Sequence, residues 1–197
     1  MEVKNKMKIF TSAHISEKHF NTMLELSEKN NPIFFEFDLK KLSDELIDKH
    51  RLVFPWHFKD SVRSFTNSNI KNLTPYEFSY SNRFIKHFGI NQIELCKSNL
   101  KNIVLTWDPK IDLFNFPRPC LLAIKFIKDG KFLHLSVVFR NRDLLKRLIP
   151  NWYCCYIILN NISKDLSLKT GKLFDYSIQS MYNDNDYQKW KNVNKIK

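Results

Sequence analysis

The sequence predicts an α+β fold, and three observations carry the prediction. Two apolar stretches, Cys120 to Ile127 and Phe132 to Phe139, face each other across Lys128-Asp129-Gly130-Lys131, where Asp-Gly is a strong hairpin signal. In the second stretch Leu133, Leu135, Val137 and Phe139 fall on one face while His134 and Ser136 fall on the other, the period-2 pattern of a half-buried strand. After Pro150 the period changes: Trp152, Cys155, Tyr156, Leu159, Ile162 and Leu166 form one stripe, as in a helix packed on a core.

The remaining elements follow from local signals. Residues 1–30 are polar and mixed and predict no element, whereas Pro32-Ile33-Phe34-Phe35-Glu36-Phe37 reads as a short strand bounded by Asn-Asn-Pro. Asp38 or Ser43 is placed to cap a helix through Ile47. Between Arg51 and Asn72 the pattern is weak, with Pro55 breaking the periodicity, and predicts loop or short helix. Thr74-Pro75-Tyr76-Glu77 has a cap, a proline at the first helical position and an early carboxylate, followed by Phe78, Phe84, Ile85 and Phe88 and ended by Gly89. A helix over 91–102 and a strand over 103–107 come next, the strand stopped by Asp108-Pro109. Gly171 precedes a final strand from Leu173 to about Met181. With no repeat or linker, residues 1–197 predict one domain.

Composition narrows the chemistry. Lysine and arginine exceed aspartate and glutamate by 32 to 20, a net +12 that draws phosphates and polyanions. A nucleotide and a nucleic acid are both candidate partners, the nucleic acid less favoured because no run of five basic residues occurs. Three glycines, at 89, 130 and 171, leave no glycine-rich phosphate loop. Cys96, Cys120, Cys154 and Cys155 lack C-x-x-C spacing, so no metal site is expected. No signal peptide or membrane-spanning run is read, and a cytoplasmic, reducing location is expected. By position alone Cys120 reads as a small buried hydrophobe. Arg140 and Asp143, three apart, read as a local ion pair, and the run Asn183-Asp184-Asn185-Asp186 as a solvated face.

Four landmarks then recur in order: Tyr80-Ser81-Asn82-Arg83, Thr106-Trp107-Asp108-Pro109, Pro117-Arg118-Pro119-Cys120 and Phe139-Arg140-Asn141-Arg142-Asp143, followed by Pro150-Asn151. Over about residues 76–182 the chain resembles the thymidylate synthase and dCMP hydroxymethylase superfamily, closest to its compact archaeal-type thymidylate synthases. The resemblance implies a mixed, largely antiparallel sheet flanked by helices, with one sheet face in a homodimer interface. It also implies a nucleophilic Cys120 that adds to carbon 6 of a pyrimidine nucleoside monophosphate and so activates carbon 5. Arg140 is then the cation beside the thiol and the grip on the phosphate, suited by its planar fork. Asn151 reads the edge of a uracil-type base, Asp143 holds the base-binding network, Tyr80 assists proton removal and Tyr182 contacts the sugar.

The pattern departs from the family at several places. Ser180 stands where the family has histidine, which makes the sugar contact shorter and uncharged. The arginines that cross the dimer to the neighbouring phosphate fall on Leu100 and Lys101, leaving one cation. No Trp-Glu segment is found, Glu36 and Glu45 being the available carboxylates. Fifteen residues follow Tyr182 (182 to 197), so no tail closing over a folate is expected. The expected activity is methylation or hydroxymethylation of a nucleotide such as dUMP with a 5,10-methylenetetrahydrofolate donor. The alternative is a catalytically degenerate nucleotide-binding or assembly subunit.

Overall fold

The computed structural model describes residues 7–12, 14–27, 31–38, 40, 42–66, 79–114 and 118–193. Its centre is the hairpin: β4 (Leu121–Asp129) and β5 (Phe132–Asp143) pair antiparallel and close at Asp129 and Phe132. Gly130 turns the chain with φ of +52°, a conformation that a side chain would strain. Leu133, Leu135, Val137 and Phe139 are all buried on one face, as the alternation predicts.

Around the hairpin the sheet extends to six strands in the order β1-β2-β6-β5-β4-β3. Here β1 is Lys8–Ser12, β2 Ile33–Asp38, β3 Val104–Leu105 and β6 Lys169–Met181. The sheet is mixed. Strands β2/β6, β4/β5 and β3/β4 run antiparallel, while β1/β2 and the central β5/β6 run parallel. Gly171 lies inside β6 and not before it. A Cβ there would sit 2.6 Å from His134 Nδ1 and 2.8 Å from the Leu133 carbonyl, where β5 shifts register. His134 Nδ1 accepts the Lys172 N–H, so the irregularity is tied down across both strands.

One sheet face is covered by helix α7 (Leu148–Asp165), whose Trp152 ring stands edge-on to Phe35 and Phe37 at 5.1 and 4.6 Å between centroids. Its predicted stripe is buried at Trp152, Cys155, Leu159 and Ile162 and partly buried at Tyr156 and Leu166. The helix begins two residues before Pro150, which occupies the first turn, where no amide donor is required.

Several sequence expectations are corrected. The N-terminal stretch read as featureless forms β1 and α1 (Glu17–Leu26), capped by Ser16. Ser43 does cap α2, but α2 (Asp44–Val53) runs past Ile47. Pro55 opens a helix instead of breaking one: α3 (Pro55–Thr66) turns Phe58 and Phe65 into the core. The cap expected at Thr74-Pro75 lies outside the described residues, and α4 (Tyr80–Ile85) starts on Ser79. Helix α5 (Gln92–Ser98) is shorter than expected, as is β3. Gln92 stands in for a strand there, its Nε2 donating to the Leu105 carbonyl and its Oε1 accepting the Leu105 N–H. The run at 183–186 opens a helix, α8 (Asp184–Asn192), with Asp186 buried against Lys146 at 2.5 Å and Trp190 buried against Phe20.

The opposite sheet face alternates out of the core and stays half-exposed at Phe34, Phe174, Tyr176 and Val138. No helix among the described residues is long and apolar enough to cross a membrane.

Candidate active site

Cys120 sits where the chain enters β4, held from two sides. The N–H groups of Cys120 and Leu121 both donate to the Tyr80 hydroxyl, at 3.1 and 3.2 Å, and the Arg140 N–H donates to the Cys120 carbonyl at 2.7 Å. Tyr80 comes from α4 and Arg140 from β5, so the first, third and fourth sequence landmarks meet at this point. Of the four cysteines, Cys120 alone is partly exposed.

The charges of Arg140, Arg142 and Arg147 all favour the charged form of the thiol. Arg140 is the foremost of the cations that act on it, and burial outweighs all three and pushes the thiol above its ordinary value. Arg140 also lies 6.0 Å from the Trp107 ring, and its buried Nε has no hydrogen-bond partner among the described residues.

The other two arginines are anchored. Arg142 Nη2 donates to both carboxylate oxygens of Asp175, at 2.9 and 3.0 Å, and the Trp152 indole N–H donates to the same carboxylate at 2.7 Å. Arg147, which starts α7, donates from Nη1 to Asp60 Oδ2 at 2.7 Å and to Ser61 Oγ at 3.0 Å. Both partners of Arg147 lie on α3. Sequence reasoning missed Arg142, Arg147, Asp60 and Asp175. The one available signal was the spacing of Arg147, four residues before Asn151.

The expected residues are distributed unevenly around this cluster. Asn151 is buried one helical turn after Arg147, its N–H bonded to the Arg147 carbonyl, and its carboxamide makes no hydrogen bond to the described residues. Asp143 Oδ1 accepts the N–H groups of Leu145 and Lys146 at 3.0 and 2.8 Å, which shapes the turn into α7, and Asp143 makes no ion pair with Arg140. Burial raises its carboxyl above the usual range, against the pull of Lys146. Tyr182, at the end of β6, is partly buried with its ring 5.6 Å from Tyr187. Ser180 is fully buried and its hydroxyl donates to the Asn31 carbonyl at 2.9 Å. Lys101 is exposed on the turn after α5; its N–H donates to Asn99 and its carbonyl accepts from Lys125.

The other landmark residues serve architecture. Arg83 grips Asp112 with two bonds, at 3.2 and 2.8 Å, His87 lies 2.7 Å from Asp108, and Asp108 caps α6 (Pro109–Asp112). Thr106 donates to the Leu121 carbonyl, next to the cysteine. Pro117 is outside the described residues.

No family profile matches the chain. It is similar to archaeal proteins provisionally named thymidylate synthases. That of Methanothermobacter marburgensis is 24% identical over 126 residues, 60% of this chain and 56% of the relative. That of Methanopyrus kandleri is 27% identical over 135 residues, 64% of this chain and 65% of the relative. That of Methanothermobacter thermautotrophicus is 26% identical over 113 residues, 53% of this chain and 50% of the relative. The chain thus spans between half and two thirds of the length of these relatives.

Proposed function

We propose, from the premise that this chain is a thymidylate synthase-like protein, that it is a pyrimidine-nucleotide C5 one-carbon transferase in which Cys120 adds to carbon 6 of a uracil-type nucleotide. One observation carries the reading: a partly exposed thiol within the field of three arginines, at the point where Tyr80 and Arg140 fix its backbone. A thiolate formed there is stabilised by cations, and the same positive field attracts a nucleotide phosphate. Arg140 takes the phosphate and Asn151 the base edge, its amide donating to O4 and accepting from N3–H. Asp143 orders the turn between them, Tyr182 contacts the sugar, and Tyr80 positions the nucleophile.

The relatives imply a reduced folate as donor. Trp56, 52% exposed, lies 5.9 Å from the Arg147 guanidinium and edge-on to His57. A flat heteroaromatic ring with an acidic tail matches that surface, so Trp56 and His57 would hold it. When bound, the group supplies the one-carbon unit.

Mass spectrometry after incubation with 5-fluoro-dUMP and methylenetetrahydrofolate tests the reading. An adduct on Cys120 is expected, lost in Cys120→Ala, and its absence with every fluoropyrimidine nucleotide would overturn the proposal. A homodimer through the half-exposed sheet face belongs to the same reading, supported by the half-exposed Phe34, Phe174, Tyr176 and Val138. Light scattering that finds only monomer would remove that part.

A second reading, a nucleotide-binding subunit without catalysis, is favoured by the raised thiol and by the engagement of Ser180 with Asn31. Thermal stabilisation by pyrimidine nucleotides with no adduct would select it.

A further inference from the structure

We infer that Arg147 donates a hydrogen bond to the 4-oxo oxygen of the bound base and carries the charge that appears there when the thiolate adds. The inference rests on the proposed role of Cys120 and names a residue for the charge. When sulfur bonds to carbon 6, the C5–C6 π bond breaks. Its electron pair moves onto carbon 5 and, by conjugation, onto O4, so a negative charge develops on an oxygen and needs a fixed donor.

Arg147 meets the requirements of such a donor. It stands four residues before Asn151 at the start of α7, and residues so spaced share one helix face, so both side chains leave α7 on the same side. Only one edge of that guanidinium is anchored: Nη1 holds Asp60 and Ser61, while Nε and Nη2 make no hydrogen bond to the described residues. The side chain is 25% exposed, hence reachable, whereas Asp60 beneath it is 8% exposed and fixed in α3. Its charge acts on the Cys120 thiol together with that of Arg140, so the two cations address one site. The resemblance assigns the O4 protons to a glutamate; of the two available carboxylates, Glu36 pairs with Lys172 on the half-exposed sheet face and Glu45 is exposed in the first turn of α2.

The chemistry of the donor also sets base choice. A guanidinium only donates, so it suits the oxo group of uracil and opposes the 4-amino group of cytosine, itself a donor. Asp60 is then a positioning residue, fixing the fork so that its open edge points at the base.

Exchange of the carbon-5 hydrogen of dUMP in deuterated water, followed by proton NMR without any folate, reads this step, since addition of the Cys120 thiolate at carbon 6 lets carbon 5 take a deuteron from solvent, and loss of its original proton to a base with expulsion of the thiolate then restores the ring. The wild-type protein is expected to exchange dUMP faster than dCMP. Arg147→Ala should slow dUMP exchange about 10²- to 10³-fold, as loss of one oxyanion donor does, while calorimetric dUMP affinity changes about threefold or less. Arg147→Lys should recover part of the rate, and the alanine variant should narrow the dUMP-to-dCMP ratio. Unfolding curves of all variants establish that they fold. The inference is overturned if a folded Arg147→Ala exchanges at the wild-type rate. It is equally overturned if affinity falls by as much as the rate, or if the dUMP-to-dCMP ratio is unmoved. Absence of exchange in the wild-type protein with every pyrimidine nucleotide would instead sink the Cys120 reading, and this inference with it.

Discussion

Arg142 and Arg147, five residues apart, each face a carboxylate, and the two pairs do different work. The Arg142–Asp175 pair is sealed, its side chains 1% and 0% exposed, with the Trp152 indole as a third partner. The Arg147–Asp60 pair is open on one side, at 25% and 8%. A sealed pair recovers its desolvation cost only while every member is present, so it acts as a clamp between β5, β6 and α7. An open pair keeps donors available to a ligand. The largest effect expected of any substitution follows from this contrast. Asp175→Ala leaves the Arg142 charge buried without a partner and should destabilise the fold by about 3–5 kcal/mol in urea unfolding. A loss below about 1 kcal/mol would mean that water already reaches Arg142.

Acid sharpens the contrast from the other side. His50 is buried beneath the Arg147 cluster, its Nε2–H donating to the Leu145 carbonyl at 2.8 Å. Burial, chiefly, lowers its pKa to about 4 from 6.5, and burial with Arg147 and Lys146 lowers that of His57 to about 4 as well. In the unfolded chain each imidazole takes up a proton as pH falls below 6.5, while the folded state resists until about 4. The folded state therefore binds fewer protons in that window, and stability is full above pH 6.5 and declines toward pH 4. The buried His50 alone accounts for about 3 kcal/mol of that decline. Unfolding midpoints that stay flat from pH 7 to 4.5, or that fall equally in His50→Gln, would refute it.

The thiols give the third test. Cys155, packed beside Asp175 and Arg142, is pushed up to about 12 by burial, whereas Cys120 is raised less far and is partly exposed. Iodoacetamide should therefore label Cys120 selectively in the folded protein. The rate should rise about tenfold between pH 7 and 8 as the thiolate fraction grows. Equal labelling of Cys154 or Cys155, read by peptide mass mapping, would show that the α7 layer opens.

How much of this was legible beforehand depended on whether the signal was local. The hairpin was, because period-2 alternation and Asp-Gly are both read within twenty residues, and so was the α7 stripe. Of the ordered motifs, those of Tyr80, Cys120 and Arg140 do come together, through α4, β4 and β5. What the motifs could not disclose is the α3 side of the cluster. Asp60 and Ser61 sit in a stretch whose apolar residues, Phe58 and Phe65, are too sparse to announce a helix, and Pro55 looked like a breaker when it is a helix start. Arg142 was invisible for a different reason, since alternation predicts an arginine in a strand to face water and nothing nearby in sequence announces Asp175, thirty-three residues on.

Asp60→Asn probes the open pair with the smallest change. The amide keeps the size of the side chain and one acceptor oxygen, so the bond to Arg147 Nη1 survives in weakened form. Removing a charge-assisted partner from a guanidinium that still touches solvent should cost about 1 kcal/mol of stability, well below the effect at Asp175. If Asp60 only stabilises, carbon-5 exchange should be unaffected once folding is matched. If it aims the open edge of Arg147, exchange should drop by a larger factor than stability explains, and a double substitution with Arg147→Ala should add nothing further to that drop. Additive losses in the two variants would separate Asp60 from the site and return it to the fold.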